Sequence, residues 1–123
     1  MGYDFYITRK KNLLLDKDGP VITPEEWLSV VHSDPELTLD SPDTEPFFAA
    51  WSASGEYPCW IDYDADSGSL FSSSPTDEFF EKMAQIAKVL NGSLQGEAGE
   101  RYHNDGTLEG TWIIGDDQQW HLA

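Results

Sequence analysis

Tyr57-Pro58-Cys59-Trp60-Ile61-Asp62-Tyr63-Asp64-Ala65-Asp66-Ser67-Gly68-Ser69-Leu70-Phe71-Ser72-Ser73 is the stretch that decides the fold. Residues 57–64 alternate, with Tyr57, Cys59, Ile61 and Tyr63 on one face and Trp60, Asp62 and Asp64 on the other. That period of two marks a strand. Asp66-Ser67-Gly68-Ser69 has turn chemistry, and residues 70–73 return as a second short strand. Upstream, residues 47–53 read as another strand, closed by the turn Ser54-Gly55-Glu56. Three strands joined this tightly predict an antiparallel meander.

Working outward, Tyr3-Asp4-Phe5-Tyr6-Ile7-Thr8-Arg9 alternates with Tyr3, Phe5 and Ile7 on one face and predicts a first strand. Arg9-Lys10-Lys11 is the chain's one basic cluster, and Lys17-Asp18-Gly19-Pro20 marks a turn. Thr23-Pro24-Glu25-Glu26 is a strong helix start, with Thr23 as cap, Pro24 at the first helical position and Glu26 completing a capping box. Trp27, Val30 and Val31 form its apolar stripe, and Asp34-Pro35 ends it. Residues 33–46, rich in Pro and acids, read as an exposed loop. Ser74-Pro75-Thr76-Asp77-Glu78 opens a second helix, whose stripe is Phe79, Met83, Ile86, Ala87 and Leu90. Glu78 and Lys82 are spaced as an i,i+4 pair, and Asn91-Gly92 supplies a left-handed stop. Ser93-Leu94-Gln95-Gly96 begins another strand, and residues 111–114 form the last plausible one.

The order is β-α-β-β-β-α-β, with room for further short strands at the C-terminus. Both helices are one-sided, so each should pack on a sheet. The expectation is an α+β, two-layer domain with an antiparallel sheet and two helices. Its 123 residues suit a single domain, 1–123.

The charge is extreme. Residues 18–81 hold fifteen Asp or Glu and no Lys or Arg, and the net charge is -16. Solubility of a small domain needs only about 2–8 units. Such a field repels the compact state from itself and attracts basic surfaces from a distance. Five Trp, five Tyr and six Phe argue that the chain nonetheless folds. One cysteine, Cys59, excludes an internal disulfide and reads as a buried, inert thiol on the apolar strand face. Met1-Gly2-Tyr3-Asp4-Phe5 has no basic start to a signal peptide, and no apolar run reaches the roughly 20 residues of a membrane span. A cytoplasmic protein without membrane contact is expected.

Catalytic motifs are thin. Residues 62–68 resemble the front of a calcium loop, but Ser67 and Ser73 stand where that loop needs Gly and Glu. A solvated β-turn is the stronger reading. His32, His103 and His121 have no metal-ligand spacing to one another, and His32 suits the end of the first helix. Gly96, Gly99, Gly106 and Gly110 match neither a dinucleotide loop nor a P-loop. No enzyme activity and no cofactor are expected. Nucleic acid is disfavoured as a partner, since seven Lys and Arg against twenty-three acids leave no basic stripe for phosphates.

Residues 3–9, then Ile22-Thr23-Pro24-Glu25-Glu26-Trp27, then Asp34-Pro35-Glu36-Leu37 are similar to the start of a group of small acidic bacterial proteins. The helix over 75–92, its Asn-Gly end and the strand Leu94-Gln95-Gly96 resemble their later part. The likeness is best over residues 3–37 and 75–102. The group resembles the immunity proteins encoded beside polymorphic or contact-delivered toxins, and it brings no catalytic motif. The resemblance implies a cytoplasmic inhibitor that occludes a cognate toxin domain by steric and electrostatic blockade. For a toxin with a basic cleft, the expected contacts are Glu45, Glu56, Asp62, Asp64 and Asp66, with Trp60 as aromatic anchor. The alternative is a small divalent-metal-dependent enzyme or ligand-binding domain built on residues 62–66.

Overall fold

The structure is a computed structural model that describes residues 3–13 and 15–123. Among the described residues, nine strands form one antiparallel sheet and two α-helices cover it, an α+β architecture. The strands are β1 (Asp4–Thr8), β2 (Leu37–Thr38), β3 (Ala49–Trp51), β4 (Trp60–Asp64), β5 (Ser69–Ser73), β6 (Ser93–Gly96), β7 (Glu100–Tyr102), β8 (Leu108–Ile114) and β9 (Trp120–Leu122). Helix α1 (Pro24–Ser33) lies between β1 and β2, and α2 (Asp77–Val89) between β5 and β6. Across the sheet the order is β2-β3-β4-β5-β1-β6-β7-β8-β9, so β1 joins the meander to the C-terminal strands.

Register explains the core. Ile7 lies opposite Leu70 in β5 and Leu94 in β6, while Ala49 lies opposite Ile61. These buried side chains meet Trp27 and Val31 of α1 and Phe79, Met83, Ile86 and Ala87 of α2 in one cluster. Each large apolar side chain so buried contributes about 1.5–3 kcal/mol. Both helices therefore sit on one face of the sheet, held by packing more than by propensity. Cys59 is buried in the same cluster.

The helix ends follow their local signals. Thr23 Oγ1 accepts from the Glu26 N–H at 3.2 Å, and Glu26 Oε1 accepts from the Thr23 N–H at 3.1 Å. Hydrogen bonds from Arg9 and from the Thr23 N–H together hold the Glu26 carboxyl down to about 2. Thr76 caps α2. Asn91, at φ 55°, ends it, as the Gly92 N–H reaches the Ala87 carbonyl at 2.8 Å. The β4–β5 turn closes through the Gly68 N–H to the Asp64 carbonyl at 2.9 Å. Gly68 has φ 64°, and a Cβ there would lie 2.4 Å from the Val21 side chain, so this turn admits only glycine without strain.

Four expectations need correction. The acidic loop over 33–46 contains β2, because Leu37 pairs with Trp51 and is buried in the core. The strand over 47–53 shrinks to Ala49–Trp51 and passes into a 3-10 turn at Ser52–Ser54. Its partner begins at Trp60, since Gly55 turns at φ 68° and Pro58 has no N–H for a ladder, which leaves Tyr57 exposed. Lys82 does not pair with Glu78. It crosses to Asp34 Oδ2 at 2.6 Å and Glu36 Oε1 at 2.8 Å, because a site with two carboxylates and little water outcompetes one acid on the wet face.

Candidate binding face

The helices leave the opposite face of the sheet to other cover. Under its β1, β6 and β7 half, polar residues are buried: Thr8, Ser93 and Gln95. They are covered by a strap formed by residues 9–13 and 15–19. Gln95 fastens it, donating from Nε2 to the carbonyls of Lys10 at 2.9 Å and Lys11 at 3.3 Å and accepting the Leu13 N–H at 3.1 Å. Arg101 adds a bond to the Lys11 carbonyl at 2.8 Å and pairs with Glu109 at 3.1 Å.

The other half, over β4, β5 and the end of β1, carries a row of four half-buried aromatics. Phe48 stacks on Trp60 at 5.2 Å, Trp60 meets the Phe71 ring edge-on at 5.6 Å, and Phe71 lies 6.3 Å from Tyr6. The register that places Asp62 and Tyr6 on either side of Phe71 puts all these side chains on one face. Alternation adds Asp4 and Asp64 to it. Burial and the charges of Asp4, Asp64 and Glu97 push the Tyr6 phenol above its ordinary value.

The expected contact residues divide accordingly. Trp60, Asp62 and Asp64 alternate on the open face, as the strand periodicity implied. Asp66 lies in the turn that continues it, where its N–H donates to Asp64 Oδ1 at 3.2 Å. Glu45 is exposed in the loop before β3, and its carbonyl receives the Phe48 N–H at 3.3 Å, beside the end of the aromatic row. Glu56 is exposed four residues before Trp60, and among the described residues no hydrogen bond ties its side chain to the face. Among the described residues, none of these five acids nor Asp4 forms an ion pair with Lys or Arg. Asp62 accepts the Tyr63 N–H at 2.8 Å, Asp64 accepts the Ser67 hydroxyl at 2.8 Å, and Asp4 accepts the Ser73 hydroxyl.

Three cations are spent on other acids: Arg9 on Glu26, Lys82 on Asp34 and Glu36, Arg101 on Glu109. Asp34 and Glu36 are thus neutralised inside the fold. Among the described residues, no group of three His, Cys, Asp or Glu side chains is placed to hold a metal ion. Residues 62–66 run from strand into turn and do not converge. Of the histidines, His121 lies 3.0 Å from Asp117 on the exposed β8–β9 hairpin. Tyr6, Phe71 and Phe48 were missed in the sequence. The alternation of β1 held the signal for Tyr6, but only strand register shows that it shares a face with Trp60.

No protein-family model matches the chain, and neither a curated protein nor a solved structure does.. Among the described residues, no helix is long and apolar enough to cross a membrane.

Proposed function

We propose that this protein is an immunity-type inhibitor that binds a cognate toxin domain through the open half of its sheet, blocking a basic surface by shape and charge. One observation carries the reading: an aromatic row, Phe48-Trp60-Phe71-Tyr6, flanked by the unpaired carboxylates of Asp4, Asp62 and Asp64. Aromatic anchors inside a polar rim are the composition of interface hot spots. Carboxylates that no internal cation neutralises attract Lys and Arg of a partner and steer its approach. Inhibition of this kind needs no chemistry from the inhibitor. The same reading is what the resemblance of residues 3–37 and 75–102 to a group of small acidic bacterial proteins, itself similar to immunity proteins, implies. Occlusion places the inhibitor in the compartment where the toxin domain is made, the cytoplasm.

The test is to express the toxin-like domains encoded by neighbouring genes and measure their binding, followed by stopped-flow or surface kinetics. The association rate should fall by about tenfold or more between about 0.01 M and 1 M NaCl, as the Debye length contracts from roughly 30 Å to 3 Å. The double variant Asp62→Lys/Asp64→Lys should weaken binding by about a hundredfold, with Trp60→Ala costing about 2 kcal/mol of affinity. Salt-independent association, or full affinity in the double variant with its fold intact, would sink the proposal.

A further inference from the structure

Where the strap meets the β4–β5 turn, the open face deepens into a hollow of about 410 Å³ lined by Tyr6, Lys10, Lys17, Asp64, Asp66 and Ser67. Two lysines and two aspartates line this space, yet among the described residues no Lys–Asp pair of theirs comes within 4.0 Å. Elsewhere in the fold, Arg9, Lys82 and Arg101 each find a carboxylate. Lys10 is the sharper anomaly, because it is only 4% exposed. Its Nζ donates to the Lys17 carbonyl at 3.2 Å and forms no ion pair among the described residues. An ammonium carries three donors, and a shielded charge without a counter-ion is costly. Asp64 and Asp66 line the same hollow, and among the described residues neither forms an ion pair. Tyr6 also lines it, and its Oη forms no hydrogen bond among the described residues.

We propose that this hollow is a binding site for a small zwitterion of the amino-acid or dipeptide class. The ligand's carboxylate lies on Lys10 and Lys17 and its ammonium on Asp64 and Asp66. The volume falls at the small end of ligand pockets, roughly 300–1,000 Å³, which suits a molecule of that size. Charge-assisted hydrogen bonds at both ends would relieve the shielded Lys10 as well as hold the ligand. The site shares Tyr6, Asp64 and Asp66 with the candidate binding face, but the protein alone forms it, so it is tested without any toxin.

The experiment is isothermal titration of the isolated protein with glycine, 4-aminobutyrate and glycylglycine. Acetate and methylammonium serve as probes carrying one charge each. One or more of the zwitterions should bind with a Kd of about 10 mM or tighter, at least about tenfold tighter than either single-charge probe. Lys17→Met and Asp66→Asn, both at exposed positions that leave the fold unchanged, should each weaken that zwitterion by about tenfold. Lys10→Met should abolish binding, and circular dichroism separates this from unfolding. Absence of binding by all three zwitterions at that concentration would overturn the inference, as would equal binding of a single-charge probe or unaltered binding in both exposed variants. Failure of the zwitterions to bind would leave the toxin reading standing, because that reading is tested separately by binding to a partner.

Discussion

Lys82 joins the C-cap of α1, the start of β2 and the middle of α2 through Asp34 and Glu36. Burial disfavours its charge, but the hydrogen bonds it donates to the two carboxylates outweigh that, and its titration lies above the ordinary 10.5. Burial likewise raises the Asp34 carboxyl, yet Lys82 and the Glu36 N–H together leave it below 3.8. Glu36 is held below 4.5 by hydrogen bonds from Lys82 and from the Trp51 indole. The depressed carboxyls contribute stability that is present above their unfolded values and lost as pH falls through the folded ones. The raised ammonium contributes stability that is present below 10.5 and lost as pH rises through its folded value. Lys82→Met should therefore destabilise the protein by about 1–2 kcal/mol at neutral pH, most of it from the better-shielded Asp34. Urea melts should show the gap between variant and parent closing below about pH 4. A gap that persists undiminished in acid would show that the loss does not come from pairing with the two carboxylates.

At the scale of elements, the strap is the feature on which the binding face depends, since it covers half of the helix-free sheet and leaves the other half open. Gln95→Leu keeps the side chain's bulk but removes the side-chain partner of the Lys10 carbonyl and the Leu13 N–H, while Arg101 still holds the Lys11 carbonyl. Unpaired buried groups set the cost at about 1–3 kcal/mol. Hydrogen exchange should speed up at Leu13 while the amides of β1 and β5 keep their protection; uniform acceleration would instead mean global destabilisation. Neither the strap nor its anchor was legible in the sequence. Local signals were: the Thr23–Glu26 box, the Asn91 stop and the turn at Gly68 all act within a few residues and fold as they read. Alternation in 57–64 also placed Trp60, Asp62 and Asp64 on one face. It could not say what lies beside them, because β1 pairs with β5 and β6 across more than sixty residues of chain. Strand β2 was invisible for a related reason. Two residues in a Pro-rich stretch carry no periodicity, and only pairing with β3 and the burial of Leu37 make them a strand.

For the whole molecule, the charge is distributed rather than uniform. Ion pairs neutralise acids at α1, around its C-cap and on β8, whereas Asp4, Asp62, Asp64 and Asp66 retain their charge around the open face. A net charge of -16 with these acids unpaired means that the free fold carries repulsion which screening relieves. Raising NaCl from about 0.01 M to 1 M should therefore raise the melting temperature, by about 3–6 °C for each kcal/mol of repulsion removed. The exposed ion pairs weaken over the same range, but each is worth only about 0–1 kcal/mol and they are few. A melting temperature that falls with NaCl would mean that attraction within the fold exceeds repulsion, and the open face would then lose its electrostatic argument. A basic partner neutralises the same carboxylates that salt screens. Added NaCl should thus stabilise the free protein while weakening the proposed complex with a basic partner, so the extra stability conferred by such a partner shrinks from both sides as salt rises.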